Sequence, residues 1–197
     1  MPRWLTKGGY PVPFLIHFAI HCFWTYSFAT MKKLGFAVLF MGLLTLRAFA
    51  ASDSWLPVEK DVATAIASPK ITVVHFWAPW CPNCKAELVN DGWKTFIAAH
   101  PDVNFVFVTI WHAGDDGKAK LTGYGLGDQS NLTVLVHPNS VRKGDGRMAS
   151  FMDMPVTWIP TTWIFRDGKL RYALNYGEIR FPMLDQLLTD SSDKWSH

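Results

Sequence analysis

Cys81 and Cys84 stand in C-x-x-C spacing at the end of the apolar run Trp77-Ala78-Pro79-Trp80. They are the residues of this 197-residue chain whose types and spacing carry a definite chemistry. Only one further cysteine, Cys22, occurs, so a scaffold stapled by several disulfides is excluded. A close pair is either redox-active or half of a metal site. A closed structural zinc site needs four ligands and no second C-x-x-C exists, which weighs against metal; a permanent structural disulfide stays open as the duller reading.

The elements around the pair explain how it would be positioned. Ile71-Thr72-Val73-Val74-His75-Phe76-Trp77 is rich in β-branched and aromatic residues and predicts a buried strand that delivers the cysteines to a loop. Pro82 suits a first helical position, and Lys85-Ala86-Glu87-Leu88 continue as helix. A thiol at a helix N-terminus faces unpaired backbone N–H groups and the positive end of the helix dipole, both of which favour thiolate. Cys81 is therefore the expected nucleophile and Cys84 the resolving thiol.

Phe76-Trp77-Ala78-Pro79-Trp80-Cys81-Pro82-Asn83-Cys84 resembles the active-site strand and loop of the thioredoxin fold, and Cys84-Lys85-Ala86-Glu87 resembles the continuation found in its TlpA/ResA branch, which includes DsbE/CcmG-like proteins. Trp158-Ile159-Pro160-Thr161-Thr162 resembles the family's cis-proline segment. The resemblance covers roughly Leu56 to Leu188. It implies an α/β thioredoxin-like fold, with a central mixed β-sheet flanked by helices and a helix-strand insert before the cis-proline. It also implies that Trp80, Ile159 and Pro160 border the substrate groove and that Glu87 takes part in the proton chemistry of the cysteines. His75 stands six residues before Cys81, where thioredoxin itself has a buried acid. It is a candidate proton relay, against the plainer expectation of a buried imidazole satisfied by a backbone carbonyl. No cofactor and no metal are expected.

Along the rest of the chain, apolar positions Val58, Val62, Ala65 and Ile66 recur at helical spacing until Ser68-Pro69. The active-site helix is expected to continue through Trp93, Phe96 and Ile97, followed by a buried strand over Val103–Ile110 that makes a parallel pair with the first. Between this strand and Pro160 lie a short helix beginning near Asp115, a strand at Leu132–Val136, and a helical turn in Arg147–Asp153. Trp111 and His112, after the strand, are read as packing or plain loop. A hairpin turns at Asp167-Gly168, and Phe181–Leu188 forms a closing amphipathic helix. The glycines at 123, 125, 127, 144 and 146 mark loops, because no phosphate-binding glycine pattern lies between a strand and a helix.

The first fifty residues differ in character. Met31-Lys32-Lys33, the apolar run Leu34–Leu46 and Ala48-Phe49-Ala50 have the order of a secretory signal peptide, with a start at Met31 and cleavage after Ala50; an uncleaved membrane anchor is the alternative. The expected division is residues 1–50 as extension and leader and 51–197 as the thioredoxin-like domain, placed in the periplasm or otherwise exported. The formal charge of +3 belongs to the leader: five of 19 basic residues and none of 16 acidic ones precede Ala51, leaving a net −2 from there onward. A mildly acidic domain without a basic run gives no ground for nucleic-acid binding. The expected partners are protein disulfide or dithiol clients and a membrane thiol-disulfide electron donor. The expected activity is a protein-disulfide reductase, with a DsbA-like oxidase or a redox-inert metal-binding module as alternatives.

Overall fold

The central strand β1 (Thr72–Trp77) is buried along its whole length, in keeping with a mostly apolar and β-branched composition, broken by His75, in a strand covered on both faces. The structure, a computed structural model, describes residues 52–175 and 177–192; the leader expected over 1–50 lies outside them. Preceding β1 is α1 (Pro57–Ile66), which buries Val58, Val62, Ala63 and Ile66 on one stripe. After β1 come α2 (Pro82–Leu88), a 3₁₀ turn (Val89–Asp91), α3 (Gly92–Ala99) and β2 (Asn104–Thr109). Then follow α4 (Gly117–Gly123), β3 (Leu132–Val136), the short strands β4 (Ser150–Phe151) and β5 (Met154–Pro155), β6 (Thr161–Arg166), β7 (Lys169–Leu174) and α5 (Phe181–Asp190).

Five strands make one sheet in the order β3-β2-β1-β6-β7. β1 pairs parallel with β2 and antiparallel with β6, so the expected mixed sheet, with α4 and β3 inserted before Pro160, is present. This register determines the site. The end of β1 that leads to Cys81 lies beside the start of β6, where Thr161 pairs with Phe76 and Thr162 with His75. Pro160, just before β6, is thereby carried to the cysteine end of the sheet.

Side chains alternate between the two faces of the sheet. On one, His75 and Phe107 meet Trp93 of α3, which also touches Phe181 of α5. On the other, Phe76 and Trp163 pack with Phe151 of β4. The β6–β7 connection is the expected two-residue turn, with Asp167 and Gly168 at φ 52° and 71°.

Two expected elements differ. The active-site helix does not run through to Ile97; it breaks at Asn90 and Asp91, both at φ 55°. These residue types tolerate left-handed backbone, and at the following Gly92 an added Cβ would come within 2.7 Å of Phe181 Cε2 and 2.9 Å of the Glu87 carbonyl oxygen. Arg147–Asp153 holds no helical turn but leads into the β4–β5 hairpin, whose turn residues Met152 and Asp153 have φ of 51° and 60°. Contacts remote in sequence hold that turn: the Met152 amide donates to Glu59 of α1, and the Trp55 indole N–H donates to Asp153 at 2.8 Å.

Candidate active site

Cys81 caps the N-terminus of α2, with Pro82 at the first helical position, where the missing N–H costs no hydrogen bond. The Cys84 backbone N–H donates to Cys81 Sγ at 3.4 Å, and the Ile159 carbonyl oxygen lies 3.8 Å from the same sulfur. The Ile159–Pro160 peptide bond is cis. Both cysteines are in the dithiol form and buried, Cys84 the more deeply at 1% exposed against 4%.

Their environments pull the two thiols apart. The Cys81 thiol is lowered to about 6, chiefly because the Cys84 side chain hydrogen-bonds to it, with the amides of Cys84 and Asn83 adding to the effect and burial opposing it. Cys84 is raised, first by burial, then by its role as partner to Cys81, with the negative charges of Cys81 and Glu87 adding to the shift. The pair is thus polarised into a ready thiolate and a protected thiol.

Beneath the cysteines lies a buried polar cluster. Glu87 and His75 are 3% and 1% exposed. His75 Nε2 sits 3.1 Å from Glu87 Oε2, which also accepts from the Trp93 indole N–H at 3.1 Å. Glu87 Oε1 accepts from the Ile179 amide, and His75 Nδ1 is 2.9 Å from Thr162 Oγ1. The expectation that a backbone carbonyl satisfies His75 is therefore corrected: its partners are two side chains. The sheet register places Thr162 directly opposite His75, and the break after α2 turns Trp93 back onto Glu87. Trp93, Thr162 and Ile179 were not foreseen as partners. Only the position of Thr162, two residues after Pro160 in an antiparallel strand, offered a sequence signal.

Glu87 also borders a cleft of about 650 Å³ lined by Ala86, Ile179, Phe181 and Met183. Trp80, half-buried beside Cys81, donates its indole N–H to the Trp111 carbonyl at 2.6 Å. Trp111 is itself buried with φ 49°, so the tryptophan after β2 packs as expected and also braces Trp80, the residue before Cys81. Trp158 is 57% exposed next to Ile159 and Pro160. Among the described residues, no group of three or more His, Cys, Asp or Glu side chains is placed to hold a metal ion.

A cysteine pair at the start of a helix, faced by an X-Pro segment across a mixed sheet, defines a thioredoxin-like domain. The chain belongs to that family, whose model, the thioredoxin-like domain, matches residues 58–192. Sporulation thiol-disulfide oxidoreductase A of Bacillus subtilis (strain 168) is 44% identical over 39 residues, 20% of this chain and 22% of that protein. The match thus spans about a fifth of the relative's length. Among solved structures, a secreted Mycobacterium tuberculosis disulfide oxidoreductase homologous to E. coli DsbE is similar at 26% identity and a TM-score of 0.47, with 64% of this chain and 84% of that one covered. StoA from Bacillus subtilis is similar at 22% identity and a TM-score of 0.43, with 61% and 83% covered.

Proposed function

We propose that this protein is an exported thiol–disulfide oxidoreductase that reduces disulfides in protein clients. The polarised pair, a Cys81 thiol held near 6 beside a Cys84 thiol kept protonated, carries the reading of a thiol–disulfide oxidoreductase. The reductive direction rests on Glu87 and the α4–β3 insert, the features in which the chain resembles the TlpA/ResA branch. Cys81 thiolate attacks one sulfur of a client disulfide, forming a mixed disulfide and releasing the other client sulfur as thiolate. Cys84 then gives up its proton and attacks Cys81, which releases the second client thiolate. The client gains two electrons, and Cys81 and Cys84 are left joined as a disulfide. A membrane thiol-disulfide donor would return them to the dithiol. Trp80, Ile159 and Pro160 border the groove in which the client backbone would lie.

Glu87 is the proposed acceptor of the Cys84 proton, and His75 the relay hydrogen-bonded to it. The hydrogen bonds from Trp93 and Ile179 fix the carboxylate. Export rests on the leader in the sequence, with an anchored form facing the same compartment as its alternative.

The Cys81 shift itself favours the reverse direction, because a stabilised thiolate stabilises the reduced enzyme and makes its disulfide a stronger oxidant. The buried negative charge of Glu87 acts in the opposite sense, since it disfavours thiolate on both cysteines. Equilibration with glutathione decides between them. A potential near the thioredoxin value of about −270 mV supports the reductase, and one near the DsbA value of about −120 mV overturns it in favour of an oxidase.

A further inference from the structure

The loop between β3 and β4 is fastened to the wall of the cysteine groove. The Trp111 indole N–H donates to the Met148 carbonyl at 2.9 Å, the Ala113 amide donates to the Ser140 carbonyl at 2.9 Å, and His112 Nε2 reaches the His137 carbonyl at 3.2 Å. Within the loop, the Asn139 side chain donates to the Gly146 carbonyl at 2.9 Å and accepts from the Val141 amide at 2.9 Å. Two guanidinium groups are held over the groove's tryptophans as a result. Arg142 lies 3.8 Å from the ring centroid of Trp80, the residue before Cys81, and Arg147 lies 4.2 Å from that of Trp111.

The ion pairs among the described residues join His75 to Glu87, Lys94 to Asp91, His100 to Asp185 and Arg166 to Asp167. None of them engages Arg142, Lys143 or Arg147, and the loop's own acid is Asp145. This cationic stretch sits on a domain whose net charge from Ala51 onward is −2, so its sign is a local departure. A guanidinium over an indole face gains from the ring while its N–H edge stays available to a carboxylate, a geometry an ammonium does not reproduce.

We propose that Arg142, with Arg147 behind it, selects clients carrying acidic residues beside the reacting cysteine. The client carboxylate would meet the Arg142 fork over Trp80 while the client sulfur meets Cys81. This rests on the reading of the protein as a thiol–disulfide oxidoreductase acting on peptides. A charge at the rim of a groove acts mainly on encounter and on salt dependence, so the preference is strongest at low ionic strength.

The test uses two disulfide peptides identical except for a pair of aspartates or a pair of lysines beside one cysteine. With the full chain and dithiothreitol as electron source, kcat/KM at low salt is expected to be about fivefold higher for the acidic peptide, the size of an exposed ion pair. The ratio is expected to fall to within about twofold in Arg142→Gln and at high salt, and Arg142→Lys to restore only part of it. Because the readout is a ratio between two peptides on one variant, a general loss of activity cancels. Equal rates at low salt, or an unchanged ratio in an Arg142→Gln/Arg147→Gln double variant, would overturn the proposal. Fluorescence anisotropy of the same peptides on a Cys81→Ser/Cys84→Ser protein separates the two readings. If the wild type reduces neither peptide, the oxidoreductase assignment fails, while the ratio of dissociation constants still judges the acidic selector.

Discussion

Replacing Cys84 by alanine should move the titration of Cys81 upward, whereas replacing it by serine should leave it nearly in place. The Cys84 side chain is the largest cause of the Cys81 shift from 9.0 to about 6, and a serine hydroxyl still donates a hydrogen bond where a methyl group cannot. At pH 7 a thiol titrating at 6 is about 90% thiolate, and one at 9 about 1%, so the shift raises the reactive fraction by roughly two orders of magnitude. The assay is the rate of iodoacetamide alkylation at Cys81 from pH 4 to 10, read by mass spectrometry. Wild type should titrate near 6, Cys84→Ser within about one unit of it, and Cys84→Ala at least about one unit higher, held below an ordinary thiol only by the backbone amides at positions 83 and 84. A wild-type midpoint near 8.5, or identical midpoints for the serine and alanine variants, would refute the hydrogen-bond account.

The same shifts set how the stability of the reduced protein depends on pH. Cys81 is depressed in the folded state, so unfolding takes up a proton between about 6 and the unfolded thiol value; stability from this source therefore grows as pH rises through that window and is lost as pH falls through 6. Cys84 is raised, so above the unfolded thiol value unfolding releases a proton and stability declines. Chemical denaturation of reduced against oxidised protein across pH should give a difference that peaks near the unfolded thiol value of about 8.5, and a flat difference would contradict both assignments. Glu87→Gln should slow resolution by Cys84 about a hundredfold, the usual size of a lost proton acceptor, while attack by Cys81 changes far less. Single-turnover kinetics with a fluorescent client disulfide separate the steps, and equal slowing of both would mean that Glu87 only supports the fold. Gly117→Ala should destabilise by about 2 kcal/mol, or about 6 °C in Tm, because the new Cβ would overlap the Thr109 side chain. A thermal melt unchanged by the substitution would show that β2 and α4 can separate at no cost.

What could be read before the structure was whatever depends on neighbours in sequence. The strand into Cys81, Pro82 at the helix start, the Asp167-Gly168 turn and the segment around Pro160 each carry their signal within a few residues. The parallel β1–β2 pairing followed from the strand-helix-strand order, whereas the place of Pro160 opposite the cysteines was legible only through the family resemblance. Where long-range contacts decide, the sequence was silent. Asn90 and Asp91 look like ordinary solvated helix residues until Gly92 must pass beneath Phe181, and the Met152-Asp153 turn depends on Glu59 and Trp55, about a hundred residues away in the chain. His75 shows the same limit at the site. Its burial was foreseeable from the strand, but its partners come from α2 and β6, and their meeting is set by the sheet register. Arg142 gave no signal at all, since basic residues in a loop read as solvated until the fold lays one of them over Trp80.

The central claim is that Cys81 attacks and Cys84 resolves. Incubating the Cys84→Ser and Cys81→Ser variants with a disulfide-bonded protein such as insulin, followed by non-reducing mass spectrometry, tests it directly. Cys84→Ser should accumulate a mixed disulfide at Cys81, Cys81→Ser should accumulate none, and neither should complete turnover with dithiothreitol. Turnover in both variants equal to wild type, or trapping through Cys84 instead of Cys81, would contradict the account.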